Sequence, residues 1–66
     1  MKITLNGEAR AIDDGLKLQA LIDQLGYSGK RLAVEINQEI IPKSQHADFI
    51  IKDGDHIEIV HAIGGG

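Results

Sequence analysis

The residues of this 66-residue chain best suited to chemistry are its last three, Gly64, Gly65 and Gly66. Glycines in that place cap no helix and join no two elements. They are expected to present the Gly66 α-carboxylate on a bare backbone, with no Cβ to obstruct close approach. Such a carboxyl has a reference pKa of about 3.3–3.7 and is ionised at neutral pH. It is a poor electrophile until one of its oxygens is built into a leaving group. A partner that admits Gly64 and Gly65 into a narrow channel could supply that activation by joining Gly66 to AMP, taken from ATP. The same run also suits a frayed terminus, since chain ends commonly lose order. The tail by itself leaves both readings open.

The other reactive residue types form no recognisable site. There is no cysteine, which removes thiol catalysis, iron–sulfur clusters and thiolate-held metals, and any sulfur handled by this chain must ride on another group. Neither G-x-G-x-x-G nor G-x-x-x-x-G-K-[ST] occurs. His46, His56 and His61 are scattered, and the odd step between His56 and His61 points them to opposite faces of a strand. Asp13 and Asp14 are adjacent carboxylates with no third ligand and read as a solvated turn. Ser28 and Ser44 fall in loop or cap contexts without a base beside them. The expectation is therefore a chain with no catalytic or metal residues, whose chemistry is done by partners.

Composition narrows the class further. A net charge of −3 and only two aromatic residues, Tyr27 and Phe49, argue against nucleic acid, which calls for a basic stripe and stacking rings. No apolar run approaches the ~20 residues of a membrane-spanning helix. Met1-Lys2-Ile3-Thr4-Leu5 reads as a strand, too short and too alternating for a signal peptide. A cytoplasmic protein is expected.

The elements that must carry the tail follow from periodicity. Met1, Ile3 and Leu5 alternate with polar residues, and Asn6-Gly7 is a strong signal for a type I′ hairpin turn. A second strand is expected over Glu8–Ile12. After the break at Asp13-Asp14-Gly15, Leu18, Leu21, Ile22 and Leu25 form one face of an amphipathic helix, closed by Gly26 at the left-handed cap position. Lys17 is an indifferent N-cap. Leu32, Val34 and Ile36 mark a third strand, Asn37-Gln38 a turn, and Glu39-Ile40-Ile41 a short return stopped by Pro42. One helical turn fits within Lys43–Asp48, and Lys52-Asp53-Gly54-Asp55 is a turn. Ile57 and Ile59 then alternate along a last strand that reaches about His61. One helix cannot cover both faces of a sheet, so the fold class is α+β, with four to five strands and a helix across one face. The connection through the helix points to a parallel strand pair. Residues 1–61 are expected to form the domain and 62–66 its flexible tail.

Taken together, these features resemble the β-grasp, ubiquitin-like fold and, more narrowly, the ThiS family of sulfur carriers for thiamine biosynthesis. The resemblance spans nearly the whole chain. It rests on Met1–Gly7, the helix pattern, Ala33–Lys43, Asp53–Ile59 and the terminal glycines. The Asn37…Ile40-Ile41-Pro42-Lys43 segment discriminates best, because a Gly-Gly ending is common to ubiquitin-like proteins. Two departures stand out: Lys43 replaces the family's usual arginine, keeping charge without the planar fork, and the helix lacks a Thr or Ser near its start.

The resemblance implies that an E1-like, ThiF-type enzyme adenylates Gly66 and that a persulfide sulfur donor converts it to a thiocarboxylate. A ThiG-type thiazole synthase would then take the sulfur. No cofactor would be bound, ATP being used by the activating partner. Extended chain covers roughly 3.3–3.6 Å per residue, so a tail from Ala62 to Gly66 reaches from a globular body into a buried site. Val60 and Ile63 are expected as an apolar landing patch where the tail departs. Three alternatives share these features: a molybdopterin-synthase-type sulfur carrier, a ubiquitin-like modifier joined to lysines, and a plain interaction domain with an incidental tail.

Overall fold

The computed structural model describes residues 1–62. The opening alternation becomes strand β1, Lys2–Leu5, and the chain returns as β2, Glu8–Ala11. Asn6 and Gly7 take φ of 49° and 82°, the left-handed values that a two-residue type I′ turn requires. The strand stops one residue short of the expected Ile12, although the Ile12 N–H still donates to the Met1 carbonyl at 2.9 Å.

Helix α1, Leu18–Gln24, buries Leu18, Leu21 and Ile22, the stripe set by their spacing. Lys17 contributes no side-chain cap. The first helical N–H groups find tertiary partners instead: Leu18 donates to the Phe49 carbonyl at 2.8 Å and Gln19 to that of His46 at 2.9 Å. The missing Ser or Thr is thus replaced by backbone from a distant segment. At the other end Gly26, with φ 77°, donates to the Asp23 carbonyl, and Tyr27 donates to that of Ile22, the two bonds of a Schellman cap.

Strand β3 is Leu32–Ile36, β4 is Glu39–Ile41, a single 3-10 turn occupies Lys43–Gln45, and β5 is His56–His61. The five strands form one mixed sheet in the order β2-β1-β5-β3-β4. Its parallel pair is β1 with β5, not the strands joined directly through the helix. All four residues of β2 are exposed, so it has nothing to bury and stays at the edge. The chain therefore passes over β1 and leaves a central slot that Ile57 and Ile59 of β5 fill, both buried.

The helix covers one face. Beneath it lie Ile3, Val34, Ile36, Ile41, Ile57 and Ile59, with Ile51 from the connecting segment closing the core. Burying each Leu or Ile contributes roughly 1.5–3 kcal/mol. Among the described residues, no layer lies over the opposite face.

Candidate functional site

The expected site lies where β5 leaves the sheet, and the fold holds that strand from both sides. On one side β3 pairs with it antiparallel from Leu32 opposite His61 to Ile36 opposite Ile57. On the other, β1 pairs only at His56 and Ile57 and then turns away. Asn6 takes over where β1 stops. Its side-chain oxygen accepts the Ile59 N–H at 2.9 Å, its amide donates to the Ile59 carbonyl at 3.3 Å, and its own N–H donates to the Ile57 carbonyl. One side chain thereby extends the ladder by two rungs.

Asn37, at the tip of the other hairpin, does the corresponding work at the start of the strand. Its side-chain oxygen accepts the His56 N–H at 3.0 Å, and its amide donates to the Asp55 carboxylate at 2.9 Å. Asp55 is buried and accepts the Lys52 N–H with its other oxygen, which closes the turn before β5. Both asparagines sit at positive φ, 49° and 52°, a conformation Asn tolerates better than most residues.

At the exit, the Ala62 N–H donates to the Arg31 carbonyl at 2.9 Å. The Schellman cap presents Tyr27 to the departing strand, its ring meeting that of His61 edge-on at 4.5 Å between centroids. The loop between cap and β3 is drawn in by Ser28, whose hydroxyl donates to the Asp23 carboxylate. Gln19 also donates to Asp23, at 3.0 Å. These two bonds, Ser28 first, hold the Asp23 carboxyl below its ordinary value of 3.8.

Of the residues expected to act, Gly64, Gly65, Gly66 and Ile63 lie outside the described residues. Val60 is 58% exposed on the open face of β5. That face also carries Ile40, 71% exposed, so the apolar surface extends across the sheet beyond what the sequence indicated. His56 is exposed on the open face and His61 beside Tyr27, while His46 is buried and donates through Nε2 to the Ile41 carbonyl at 2.9 Å. Among the described residues no three His, Asp or Glu side chains converge to hold a metal ion, and no helix is long and apolar enough to cross a membrane.

Asn6 and Asn37 support β5 through their side chains, whereas sequence reasoning placed them only in turns. Their dipeptides mark the bends, but which strand each amide reaches depends on β5 entering between β1 and β3.

A five-stranded mixed sheet crossed by one helix, with its C-terminal strand beside the N-terminal one, defines a β-grasp domain of the ubiquitin-like kind. The crystal structure of the thiamine biosynthesis protein ThiS from Geobacter metallireducens superimposes with a TM-score of 0.85 at 29% identity, covering 100% of both chains. The ThiS family model matches residues 3–66. Sulfur carrier protein ThiS of Escherichia coli K12 is 36% identical over 66 residues, all of either chain. A thiazole synthase of Paramagnetospirillum magneticum is 46% identical over 66 residues, although the chain spans only 20% of that protein's length. A second thiazole synthase, from Magnetococcus marinus, is likewise matched over 20% of its length. The chain belongs to the ThiS family.

Proposed function

We propose that this chain is a sulfur carrier for thiamine biosynthesis, with the Gly66 carboxylate as the group carried through the reactions and the folded domain as its handle. The observation that supports this most is the end-to-end alignment with the Escherichia coli sulfur carrier, combined with a central strand fixed on both edges up to Ile59 and on the β3 side up to Ala62. A rigid strand that delivers glycines from the middle of a sheet gives a partner a fixed point from which to draw in the tail.

The chemistry belongs to the partners. A ThiF-type enzyme transfers the AMP moiety of ATP to a Gly66 oxygen and releases pyrophosphate. The terminal sulfur of a persulfide then attacks the acyl carbon and expels AMP. Cleavage of the remaining S–S bond by a thiol leaves the thiocarboxylate. A ThiG-type thiazole synthase is the acceptor, a reading encouraged by the thiazole synthases that contain a segment like this chain. The carrier binds no cofactor and catalyses no step; it works in the cytoplasm. Gly64 and Gly65 thread the channel, while Val60 and Ile63 make apolar contact at its mouth.

Deleting Gly65 and Gly66 tests the reading. The truncated chain should keep the circular dichroism and melting temperature of the full chain yet support no ATP–pyrophosphate exchange by the activating enzyme. Exchange at the full-length rate would refute the role of the tail.

A further inference from the structure

The two asparagines that fasten β5 differ in the residue that follows them. Asn37 precedes Gln38, whereas Asn6 precedes Gly7. The backbone nitrogen after an asparagine can close a five-membered ring on the side-chain amide carbon. A Cβ on that next residue hinders the closure, and glycine has none. Asn6 and Gly7 are both exposed, and the space where a Gly7 Cβ would stand is open, so base and water reach the peptide between them.

The fold opposes the closure in two ways. The Asn6 side chain is tied to Ile59, its oxygen accepting the N–H at 2.9 Å and its amide donating to the carbonyl at 3.3 Å. At φ 49°, the left-handed backbone also sets Cβ beside the residue's own carbonyl oxygen. That turns the side chain away from the Gly7 nitrogen, which lies on the other side of the same carbonyl carbon. Both restraints have to yield before the ring can form.

We infer that Asn6 is a deamidation site gated by opening of the β1–β2 turn, and that its conversion irreversibly undoes one of the fasteners of β5. In the opened turn the Gly7 nitrogen gives its proton to hydroxide and bonds to the Asn6 Cγ. The Cγ–Nδ2 bond breaks, and ammonia leaves with a proton taken from water. Water then opens the succinimide at either carbonyl. Cleavage at Cγ restores the peptide and leaves aspartate, which has no donor for the Ile59 carbonyl and sets a negative charge beside it. Cleavage at the main-chain carbonyl leaves isoaspartate, with one more methylene in the backbone. A two-residue turn cannot take up that atom and keep Leu5 opposite Glu8. The inference concerns the lifetime of the domain and stands apart from the sulfur-carrier reading.

Intact mass and fragmentation test it, with the full chain and a peptide of residues 3–9 held in the same mildly alkaline buffer. Replacement of NH2 by OH should appear at Asn6 and not at Asn37. In the folded chain it should run about 5- to 150-fold slower than in the peptide, the factor that two hydrogen bonds of ordinary strength supply. Urea should bring the two rates together. The isoaspartyl chain, isolated by chromatography, should exchange its Ile59 amide proton faster than the unmodified chain by a factor in the same range. Equal reaction at Asn6 and Asn37, or a folded chain that reacts as fast as the peptide, would overturn the gated site. So would a folded chain still unmodified at Asn6 after a time long enough for the slowest rate in that range. Unchanged exchange at Ile59 would overturn the consequence for β5.

Discussion

Strand β5 has two faces with opposite duties. Ile57 and Ile59 point under the helix and are buried in a mainly aliphatic core. His56, Glu58 and Val60 point the other way and are exposed. The inner face favours folding through buried area. The outer face sets Glu35 opposite Glu58 and leaves Ile40 and Val60 exposed, an arrangement that adds nothing to folding. Alternation with period two lets neighbouring residues of one short strand serve both ends without compromise.

The largest effect should come from exchanging those duties. Ile57→Ala, beneath the helix, is expected to cost about 2–5 kcal/mol, a large share of what a domain this small possesses. Val60→Ser, three residues on and facing outward, should stay within about 0.5 kcal/mol of wild type while weakening recognition by the activating enzyme. Urea unfolding of both variants checks the contrast, and equal losses would abolish it.

Edge support of the strand should show a middle-sized effect. Asn6→Ala strips the Ile59 N–H and carbonyl of their side-chain partner and places alanine at positive φ, an expected loss of about 1–3 kcal/mol. Amide hydrogen exchange should localise the change to Ile59, while the Ile57 carbonyl keeps its bond from the residue-6 N–H. Unaltered exchange at Ile59 would mean that water replaces the amide at no cost.

The smallest effect concerns the loop that leads to the exit. The Asp23 carboxyl is held low by Ser28 and then Gln19, so its folded value lies below its unfolded one. The stabilisation is therefore complete above the ordinary value of 3.8 and is lost as pH falls through the lower folded value. Melting curves taken down this acid range should decline less steeply for Asp23→Asn than for wild type. Parallel curves would show that the loop is held by other contacts.

How much of this was legible in the sequence follows from the range over which each residue acts. The hairpins, the helix face and the Gly26 cap depend on neighbours within a few positions, and they stand where the periodicity and turn chemistry place them. A parallel pair was legible from the helical connection, but which strands form it was not, because that depends on burial across the whole sheet, where β2 has no buried residue. Asn6 and Asn37 were read as turn residues since their reach to residues 53 and 19 positions away has no local signature. The capping of α1 by the Phe49 and His46 carbonyls is invisible for the same reason. Val60 was legible as an outward residue of an alternating strand. Its partner Ile40 was not, because a three-residue strand gives too little pattern to tell its faces apart.

The sulfur-carrier reading rests on Gly66. Its most direct test is the intact mass of the chain after incubation with a ThiF-type enzyme, ATP and a persulfide donor, followed by fragmentation. A shift equal to sulfur replacing oxygen, mapped to Gly66, is the predicted result. An unchanged mass, with an enzyme that demonstrably activates the Escherichia coli carrier, would contradict it.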